Sequence, residues 1–256
     1  MGNNPASVIY VRNKARACQE LGLNSDVIQL PESTTEKELI QRVSALNQKK
    51  EVHGILVQSP LPFHINQFKI FASVDRDKDV DGFHPYNLGM LFLGTPVFIP
   101  CTPLGIQELL IRSGNDPAGK NVVILGRGNI VGKPLSALLV QKAKGADATV
   151  TICHRGTGNL KEVTKTGDIL VVAIGQPEFV TGDMVKPGAV VIDVGVNSIK
   201  DPKTDKNKLV GDVNFEEVSK IVSAITPVPG GVGPMTIAML LHNTIKAAET
   251  QNHIKD

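Results

Sequence analysis

Tyr10 and Lys14, near the start of the chain, have types and spacing suited to proton transfer. They stand four positions apart in a helical pattern that covers residues 7–21, so their side chains share one face. A lysine beside an aromatic ring near a buried face is a candidate general base or acid. A surface lysine whose stem lies on a tyrosine would have the same spacing, and the local sequence alone favours that alternative.

Gln58 and Asp81 are two further candidates for binding or chemistry. Gln58 follows an apolar run, residues 55–57, that predicts a buried strand, and ligands collect at the carboxyl ends of parallel strands. Its amide can both donate and accept a hydrogen bond. Asp81 precedes Gly82 in a predicted loop, where its carboxylate could accept the paired N–H groups of a heterocycle such as a pterin. The simpler alternatives are a strand-end polar group for Gln58 and an ordinary Asp-Gly turn for Asp81.

Residues 126–134 predict a dinucleotide-binding turn. They follow an apolar strand pattern and precede a helical one, the order that brings backbone N–H groups to a diphosphate. Gly126 permits the tight turn, Gly128 the approach of the pyrophosphate, and Gly132 the packing of helix on strand. A strand–helix turn without a ligand is the alternative.

The end of the next predicted strand indicates which dinucleotide is bound. NAD-dependent enzymes usually carry an acidic residue there, which binds the ribose 2′-hydroxyl. Here His154 and Arg155 follow the strand, and Arg127 lies in the glycine turn. Arginine offers paired donors to a 2′-phosphate, so the pattern favours NADP over NAD. On spacing alone, a solvated loop arginine explains Arg155 equally well.

The elements that must position these residues alternate between helical and strand-like patterns, which predicts an α/β protein with a mostly parallel sheet. In the first half we expect a strand at 26–30 and a helix opened by a capping box of Thr35 and Glu38. In the second half we expect strands at 122–125, 148–153, 169–173 and 189–194. Residues 99–103 are the expected hinge between the two series, residues 201–209 a surface loop, and residues 235–249 the last helix.

Composition narrows the class of protein. The chain has 256 residues, enough for one large or two modest domains, and 41% of them are hydrophobic. Its 27 basic and 25 acidic residues nearly cancel, which argues against nucleic acid or an anionic membrane as a partner. Cys18, Cys101 and Cys153 are far apart, which indicates a reduced, cytosol-like compartment, and no His/Cys cluster has metal-ligand spacing.

Taken together, the motifs closely resemble one family, the bifunctional methylenetetrahydrofolate dehydrogenase/methenyltetrahydrofolate cyclohydrolases, or FolD family. The resemblance runs along essentially the whole chain in the family's order. Besides Tyr10 and Lys14, the matching segments are residues 2–7, 57–62, 78–82, 101–103, 126–134, 193–195 and the Pro- and Gly-rich stretch 227–236.

The resemblance implies a two-domain α/β fold with a cleft between the domains. Residues 1–103, joined by the C-terminal helix 235–256, would form the folate-binding catalytic domain, and residues 104–234 a Rossmann-like NADP-binding domain. It implies Lys14 as the catalytic base and acid, with Gln58 as its hydrogen-bond partner. Tyr10 would stack on the aminobenzoyl group and Asp81 would hold the pterin. The implied NADP contacts are Gly126, Arg127, Gly128, Gly132, Arg155 and Val196, and the residues lining the folate cleft are Pro229, Gly230 and Gly231.

The implied activity is oxidation of 5,10-methylenetetrahydrofolate with NADP+ and hydrolysis of the methenyl product to 10-formyltetrahydrofolate. This is one-carbon metabolism that serves purine biosynthesis, and it needs no metal. The family commonly forms homodimers, and a cytoplasmic location is expected. The alternatives are another two-domain NADP oxidoreductase, such as a shikimate-dehydrogenase-like enzyme, and a folate- or nucleotide-binding protein without turnover.

The sequence departs from the family pattern in three places. The family normally has a helix and a strand upstream of Gly2, and organelle targeting from such a region is compatible with the resemblance. The family usually has serine at the position of Gly128, so here NADP preference depends on Arg127 and Arg155. It usually has leucine at the position of Ser59, where we expect little effect on the chemistry.

Overall fold

A computed structural model describes residues 1–2, 5–200 and 206–254, and the chain divides into two compact units. The first unit comprises Met1–Cys101 and Ile237–Asp256, and the second comprises Thr102–Thr236. The boundaries expected from the sequence were 103/104 and 234/235. Asn3 and Asn4 of the first family motif, and residues 201–205 of the expected loop, lie outside the described residues.

Helices dominate the first unit, whereas helices and strands alternate in the second. In chain order the elements are α1 (Pro5–Glu20), α2 (Glu36–Asn47), α3 (Gln67–Ser73), α4 (Pro85–Phe92), α5 (Cys101–Arg112), β1 (Asn121–Leu125), α6 (Gly132–Leu139), β2 (Thr149–Cys153), α7 (Leu160–Lys165), β3 (Ile169–Val172), a 3₁₀ turn (Gly182–Met184), β4 (Val190–Asp193), β5 (Asn197–Lys200), β6 (Asn207–Val210), α8 (Phe215–Val218), β7 (Ala224–Ile225) and α9 (Val232–Gln251).

The predicted capping box at the start of α2 is confirmed. The Glu38 backbone N–H donates to the Thr35 hydroxyl over 3.3 Å, and the Thr35 backbone N–H donates to the Glu38 carboxylate over 2.8 Å. Both satisfy donors that a helix start would leave unpaired. The helix then buries Leu39 and Val43 in a cluster with Ile55 and Ile70, which forms one core of the first unit.

Two strands predicted in the first unit are wrong. Residues 26–30 form no ladder among the described residues, and residues 55–57 contribute a single parallel bridge, from Ile55 to Asp79. An apolar run becomes a strand only where a neighbouring strand accepts its hydrogen bonds. After Ile55, Pro60 and Pro62 lack the N–H groups that would extend such a ladder.

The four parallel strands predicted in the second unit are confirmed. Together with β7, which was not predicted, they form a five-stranded parallel sheet in the order β2-β1-β3-β4-β7. The register pairs Leu125 with both Cys153 and Val172, and Val172 with Asp193. The carboxyl ends of the first four strands therefore lie along one edge. Apolar clusters cover both faces of the sheet, as strands buried on both sides require.

The loop predicted at residues 201–209 is partly wrong. Strand β6 begins at Asn207 and pairs antiparallel with β5, so that Asn197 faces Val210. The polar composition of this stretch suggested a loop, but an exposed hairpin also carries polar side chains because most of it faces water. None of the described helices has the length and apolar character needed to cross a membrane.

Candidate functional site

The structure brings Lys14 and Gln58 together in the first unit. The Lys14 ammonium donates a hydrogen bond to the Gln58 side-chain carbonyl over 3.1 Å. The Gln58 amide nitrogen donates to the Ser59 backbone carbonyl over 2.7 Å. Lysine is only a donor, so the amide oxygen must face it, and the second bond holds the amide in that orientation. The predicted partnership between the two side chains is thus present in the geometry.

Tyr10 lies beside Lys14 on α1, as their spacing predicted. The Lys14 nitrogen is 5.8 Å from the centroid of the Tyr10 ring, within the range of a cation–π contact. Both side chains are partly buried. Burial raises the pKa of the Tyr10 phenol above its ordinary value, so the ring stays uncharged at neutral pH. A flat, neutral ring next to a cation is suited to stacking against an aromatic ligand.

Asp81 is close enough to Lys14 for their charges to interact. Burial raises the pKa of the Asp81 carboxyl to about 6; the Lys14 ammonium works against this rise and the nearby Asp79 adds to it. Asp81 is therefore mainly ionised at neutral pH, but it lies within reach of protonation under mildly acidic conditions. A carboxylate in this state can accept hydrogen bonds from the N–H groups of a ligand.

Asp79 holds the loop that carries Asp81. Its carboxylate accepts hydrogen bonds from the Phe83 and His84 backbone N–H groups, over 3.2 and 2.8 Å, and from the Asn87 amide over 2.8 Å. Asp79 is buried, and burial raises its pKa despite these donors. The Asp79 carboxylate thus fixes the loop from Asp79 to the start of α4 by binding backbone and side-chain donors near the end of that loop.

Asn243, from α9, fixes the other side of the same loop. Its amide donates to the backbone carbonyls of Val80 and Ile99, each over 3.0 Å. The buried Cys101 thiol donates to the Val80 carbonyl over 3.3 Å, and burial raises its pKa well above the ordinary value. Sequence reasoning did not single out Asn243. Its signal is weak, a single amide on an otherwise apolar helix face.

The glycine turn of the second unit has the shape that its sequence predicted. Gly126 has φ +134°, and a Cβ there would collide with the Ala173 carbonyl. A Cβ at Gly132 would collide with the Gly126 carbonyl, whereas the position at Gly128 is open. Two of the three glycines are therefore required by close backbone approach, and Gly128 leaves free space above the turn.

Helix α6 begins directly after this turn without a side-chain cap. Val131 stands at its N-cap position and makes no side-chain hydrogen bond to the first turn. An apolar residue there is unusual, because helix starts normally carry an oxygen that accepts the free N–H groups. In this first turn the Lys133 N–H donates to the Gly128 carbonyl over 3.1 Å and Pro134 has no N–H, so the positive end of the helix dipole is the main feature that suits a phosphate. The turn and helix start therefore fit the diphosphate of a dinucleotide.

Arg127 and Arg155 are both exposed in the second unit. Arg155 follows β2, whose last residue, Cys153, is level with Leu125 at the end of β1. It therefore lies on the β2 side of the glycine turn, where Rossmann folds bind the ribose next to adenine. Val196 lies beyond β4, on the opposite side of β1, and is 53% exposed.

The Pro- and Gly-rich stretch 227–236 runs from the end of β7 into α9. Pro229 and Gly230 are exposed and Gly231 is buried, and Gly230 has φ +104°. All three belong to the second unit, whereas Lys14, Gln58 and Asp81 belong to the first. Among the described residues no group of three or more His, Cys, Asp or Glu side chains could hold a metal ion.

Two buried carboxylates near the end of β4 were not recognised as candidates. Asp193 and Asp212 are only 3% and 0% exposed. Asp193 lies in a segment that matches the family, residues 193–195, and Asp212 lies in no recognised motif. The sequence signal is uneven: Asp193 ends an apolar strand pattern and stands two positions before Gly195, whereas Asp212 follows a polar stretch and is marked only by the neighbouring Gly211.

Comparison with known proteins agrees with both halves of this description. A model described as tetrahydrofolate dehydrogenase/cyclohydrolase, catalytic domain, matches residues 1–81. Its companion, described as the NAD(P)-binding domain, matches residues 100–252. The chain belongs to the tetrahydrofolate dehydrogenase/cyclohydrolase family. The resemblance inferred from the motifs is thereby confirmed, together with the two-domain α/β fold.

Individual relatives cover nearly all of the chain. The "Bifunctional protein FolD" of Chlorobium phaeobacteroides is 55% identical over 96% of this chain and 84% of the relative. A crystal structure of bifunctional FolD from Campylobacter jejuni has 50% identity and a TM-score of 0.90, covering 97% of this chain and 86% of that one. FolD from Trypanosoma brucei, complexed with NADP cofactor and inhibitor, has 40% identity and a TM-score of 0.91, with coverage of 97% and 84%.

Proposed function

We propose that this chain oxidises 5,10-methylenetetrahydrofolate to the 5,10-methenyl form with NADP+ and hydrolyses that product to 10-formyltetrahydrofolate. The observation that carries the proposal is the Lys14–Gln58 hydrogen bond beside Tyr10 and Asp81, within the part that matches the family's catalytic domain. A protein that only binds folate or nucleotide would not need a lysine held in this way.

In the hydrolytic step Lys14 is the group that moves protons. Water adds to the methenyl carbon, and the neutral amine of Lys14 takes a proton from that water. The resulting ammonium then delivers a proton to the ring nitrogen as its bond to the carbon breaks. The hydroxyl on that carbon loses its remaining proton to solvent as the formyl C=O forms, so the lysine ends as the neutral amine and one proton is released overall. Gln58 supports both states, because its carbonyl oxygen accepts a hydrogen bond from the amine and from the ammonium.

Tyr10 and Asp81 position the folate. The neutral Tyr10 ring provides a face for the aminobenzoyl group, and the Asp81 carboxylate accepts the adjacent N–H groups of the pterin. Fixing the substrate's orientation supplies much of the rate, because oxidation needs the methylene carbon held at a suitable distance and angle.

The second unit provides the dinucleotide site. Gly126 and Gly132 permit the close-packed turn, Gly128 leaves room for the diphosphate above it, and the positive end of the α6 dipole faces that space. Arg127 and Arg155 would bind the 2′-phosphate, and Val196 would contact the nicotinamide half. When bound, NADP+ supplies the hydride acceptor. The absence of a serine hydroxyl at position 128 leaves the two arginines as the proposed readers of the 2′-phosphate.

The direct test is an assay of the full chain with methylenetetrahydrofolate and NADP+. We expect the absorbance of NADPH to rise, and 10-formyltetrahydrofolate to be detected by chromatography. Methenyltetrahydrofolate supplied alone should be hydrolysed without any cofactor. Cofactor binding with no turnover of either substrate would instead support the alternative of a binding protein without catalysis.

A homodimer formed through the second unit is also proposed. Strand β2 is at one end of the sheet order, and Ile152 on it is 41% exposed. An open strand edge with an exposed apolar residue is a common site of subunit pairing. Light scattering coupled to size exclusion should give twice the 27.4 kDa chain mass, and Ile152→Lys should shift it towards the monomer.

A cytoplasmic location and a supply of one-carbon units to purine biosynthesis complete the proposal. The cysteines Cys18, Cys101 and Cys153 are all free thiols, which is the usual state in a reducing compartment. The proposed product carries its carbon at the formyl level, which formyl transfers to purine precursors consume. Fractionation of cells and tracing of labelled one-carbon units would test these two points.

A further inference from the structure

The two buried carboxylates of the second unit belong to one hydrogen-bond network. We call these two residues the Asp193–Asp212 pair. Asp193 accepts the backbone N–H groups of Gly195, Asp212 and Val213, over 3.1, 2.9 and 3.0 Å. Its own N–H donates to the Thr226 hydroxyl over 2.8 Å. The end of β4 is thereby tied to the segment that follows β6.

Asp212 reaches in the opposite direction, to the loop after β3. One of its oxygens accepts the backbone N–H groups of Ile174 and Gly175, over 2.7 and 2.9 Å. The other accepts the Gln176 backbone N–H over 2.8 Å and the Asn197 side-chain amide over 2.9 Å. A single carboxylate thus holds three consecutive backbone groups and the first residue of β5.

The loop held in this way adjoins the glycine turn. The Ala173 backbone N–H donates to the Leu125 carbonyl over 2.8 Å, and the Ala173 carbonyl is the group that leaves no room for a side chain at Gly126. In the sheet, β2 lies on one side of β1 and β3 lies on the other, so the strand order reverses at β1. Dinucleotides bind at such a switch point, so residues 174–176 lie on its β3 side.

The glycines around the pair show that the carboxylates occupy fixed places. A Cβ at Gly195 would collide with the Asp212 carboxylate, and a Cβ at Gly211 would collide with the Asp193 carboxylate. Burying two carboxylates side by side is costly unless donors surround them, and here seven N–H groups do so, four on Asp212 and three on Asp193. A neutral amide at either position would turn one of its N–H donors towards these N–H groups, so the arrangement selects carboxylates.

We propose that Asp212 is a positioning residue for the nicotinamide half of the dinucleotide. Arg155 and the glycine turn lie on the β2 and β1 side, so the half that carries adenine is held there, and the nicotinamide half extends over the ends of β3 and β4. Asp212 holds the chain just beyond both of those ends, through residues 174–176 after β3 and through Asn197, next to Val196, after β4. The inference rests on the proposed NADP function.

This role can be tested by comparing the binding of NADP+ with that of a ligand that contains only its adenine half. We would measure by calorimetry the affinity of the full chain for NADP+ and for adenosine 2′,5′-bisphosphate, which lacks the nicotinamide half. Asp212→Asn keeps the shape of the side chain, but its amide nitrogen is a donor and would face N–H groups that now donate to the carboxylate. We expect it to raise the Kd for NADP+ about tenfold and to leave the Kd for the bisphosphate within about twofold. Hydrolysis of methenyltetrahydrofolate, which uses no cofactor, should be unchanged.

Asn197→Ala tests the same role with little risk to folding, because it removes one donor from a partly exposed residue. It should raise the Kd for NADP+ about threefold with the same selectivity. Gly195→Ala should reproduce the selective loss although Asp212 itself is retained. Asp183→Asn is the matched control, since Asp183 is an exposed aspartate of the same unit that pairs with Lys161; it should change neither affinity.

The outcomes separate this inference from the proposed function. If the unmodified chain does not bind NADP+, the proposed function fails and the inference fails with it. If it binds NADP+ but Asn197→Ala and Asp212→Asn bind it equally well, only the positioning role is wrong. An equal loss of both ligands, or a loss of methenyl hydrolysis in a folded variant, would show that Asp212 maintains the unit as a whole.

Discussion

The two units build their sites from different parts of the chain. In the first unit the working groups are side chains, Lys14, Gln58 and Asp81, that converge from a helix and two loops. In the second unit they are mainly backbone groups, exposed by glycines at the ends of parallel strands and held by buried carboxylates. Proton transfer needs a group that can change its charge, whereas a diphosphate needs only donors at fixed positions.

This difference predicts how each site fails. Removing a side chain in the first unit should abolish one chemical step and leave the fold intact. In the second unit an alanine in place of a glycine that is in close contact with backbone, such as Gly126, should weaken dinucleotide binding, because the added methyl group displaces the backbone. The following predictions test that contrast, in order of decreasing effect.

Lys14→Ala should reduce hydrolysis of methenyltetrahydrofolate by a factor of about 10² to 10⁴, the range for removal of a general base. NADP+ affinity should not change, because Lys14 and the glycine turn belong to different units. The rate is followed by the loss of methenyl absorbance, and binding by calorimetry. Arg16→Ala is the control, since Arg16 is an exposed cation of the same helix. Hydrolysis at the wild-type rate in Lys14→Ala would remove the role assigned to this lysine.

Gly126→Ala should weaken NADP+ binding about a hundredfold, because its Cβ collides with the Ala173 carbonyl at a φ that side chains rarely adopt. Methenyl hydrolysis should persist. Gly158→Ala is the matched control, a glycine of the same unit with open space around it and no positive φ. Equal affinities in the two variants would show that the turn does not hold the dinucleotide.

Arg155→Ala should weaken NADP+ binding about thirtyfold and NAD+ binding by less than about twofold, since it loses charge-assisted hydrogen bonds to the 2′-phosphate alone. Binding of both cofactors to wild type and variant completes the comparison. Unlike Lys14→Ala, this substitution should change the preference between NADP+ and NAD+ and leave the rate of methenyl hydrolysis unchanged. A parallel loss of both cofactors would mean that Arg155 does not distinguish them.

Acidification should weaken folate binding through Asp81. Its pKa is raised to about 6, so the carboxylate that accepts the pterin N–H groups is lost as the pH falls through that value. Between pH 7 and pH 5 we expect the Kd of 5-formyltetrahydrofolate to rise about tenfold. In Asp81→Asn the same pH change should have little effect. An identical pH profile in the variant would assign the titration to another group.

Sequence patterns predicted the second unit better than the first. Its four main strands lie within one residue of their predicted bounds. Strands β1, β3 and β4 are largely apolar runs buried on both faces, whereas β2, at the end of the sheet, alternates Thr with apolar residues and is mostly exposed. Residues 55–57 are likewise an apolar run, and residues 26–30 mix apolar with polar side chains, yet in the part of the chain that the structure describes neither segment has the neighbouring strand that would make it part of a ladder. Strand formation depends on a partner, and a single segment carries no information about whether one is present.

The candidate residues were likewise predictable to different degrees. Tyr10 and Lys14 are neighbours through helical spacing, and Gly126 to Gly132 through a local turn, so both were accessible from the sequence. The contact of Lys14 with Gln58 spans 44 positions, and that of Asp212 with Ile174 spans 38. The family motifs implied the first of these contacts, and no pattern in the sequence implied the second.

By itself, the sequence determined the α/β class, the glycine turn and the family, because these depend on local periodicity and on motifs in a fixed order. The tertiary structure alone decided which carboxylates are buried and what surrounds them. Burial raises the pKa of Asp81 to about 6, and seven N–H donors surround Asp193 and Asp212. Desolvation and hydrogen bonding depend on atoms brought together from distant parts of the chain, so they exist only once it has folded.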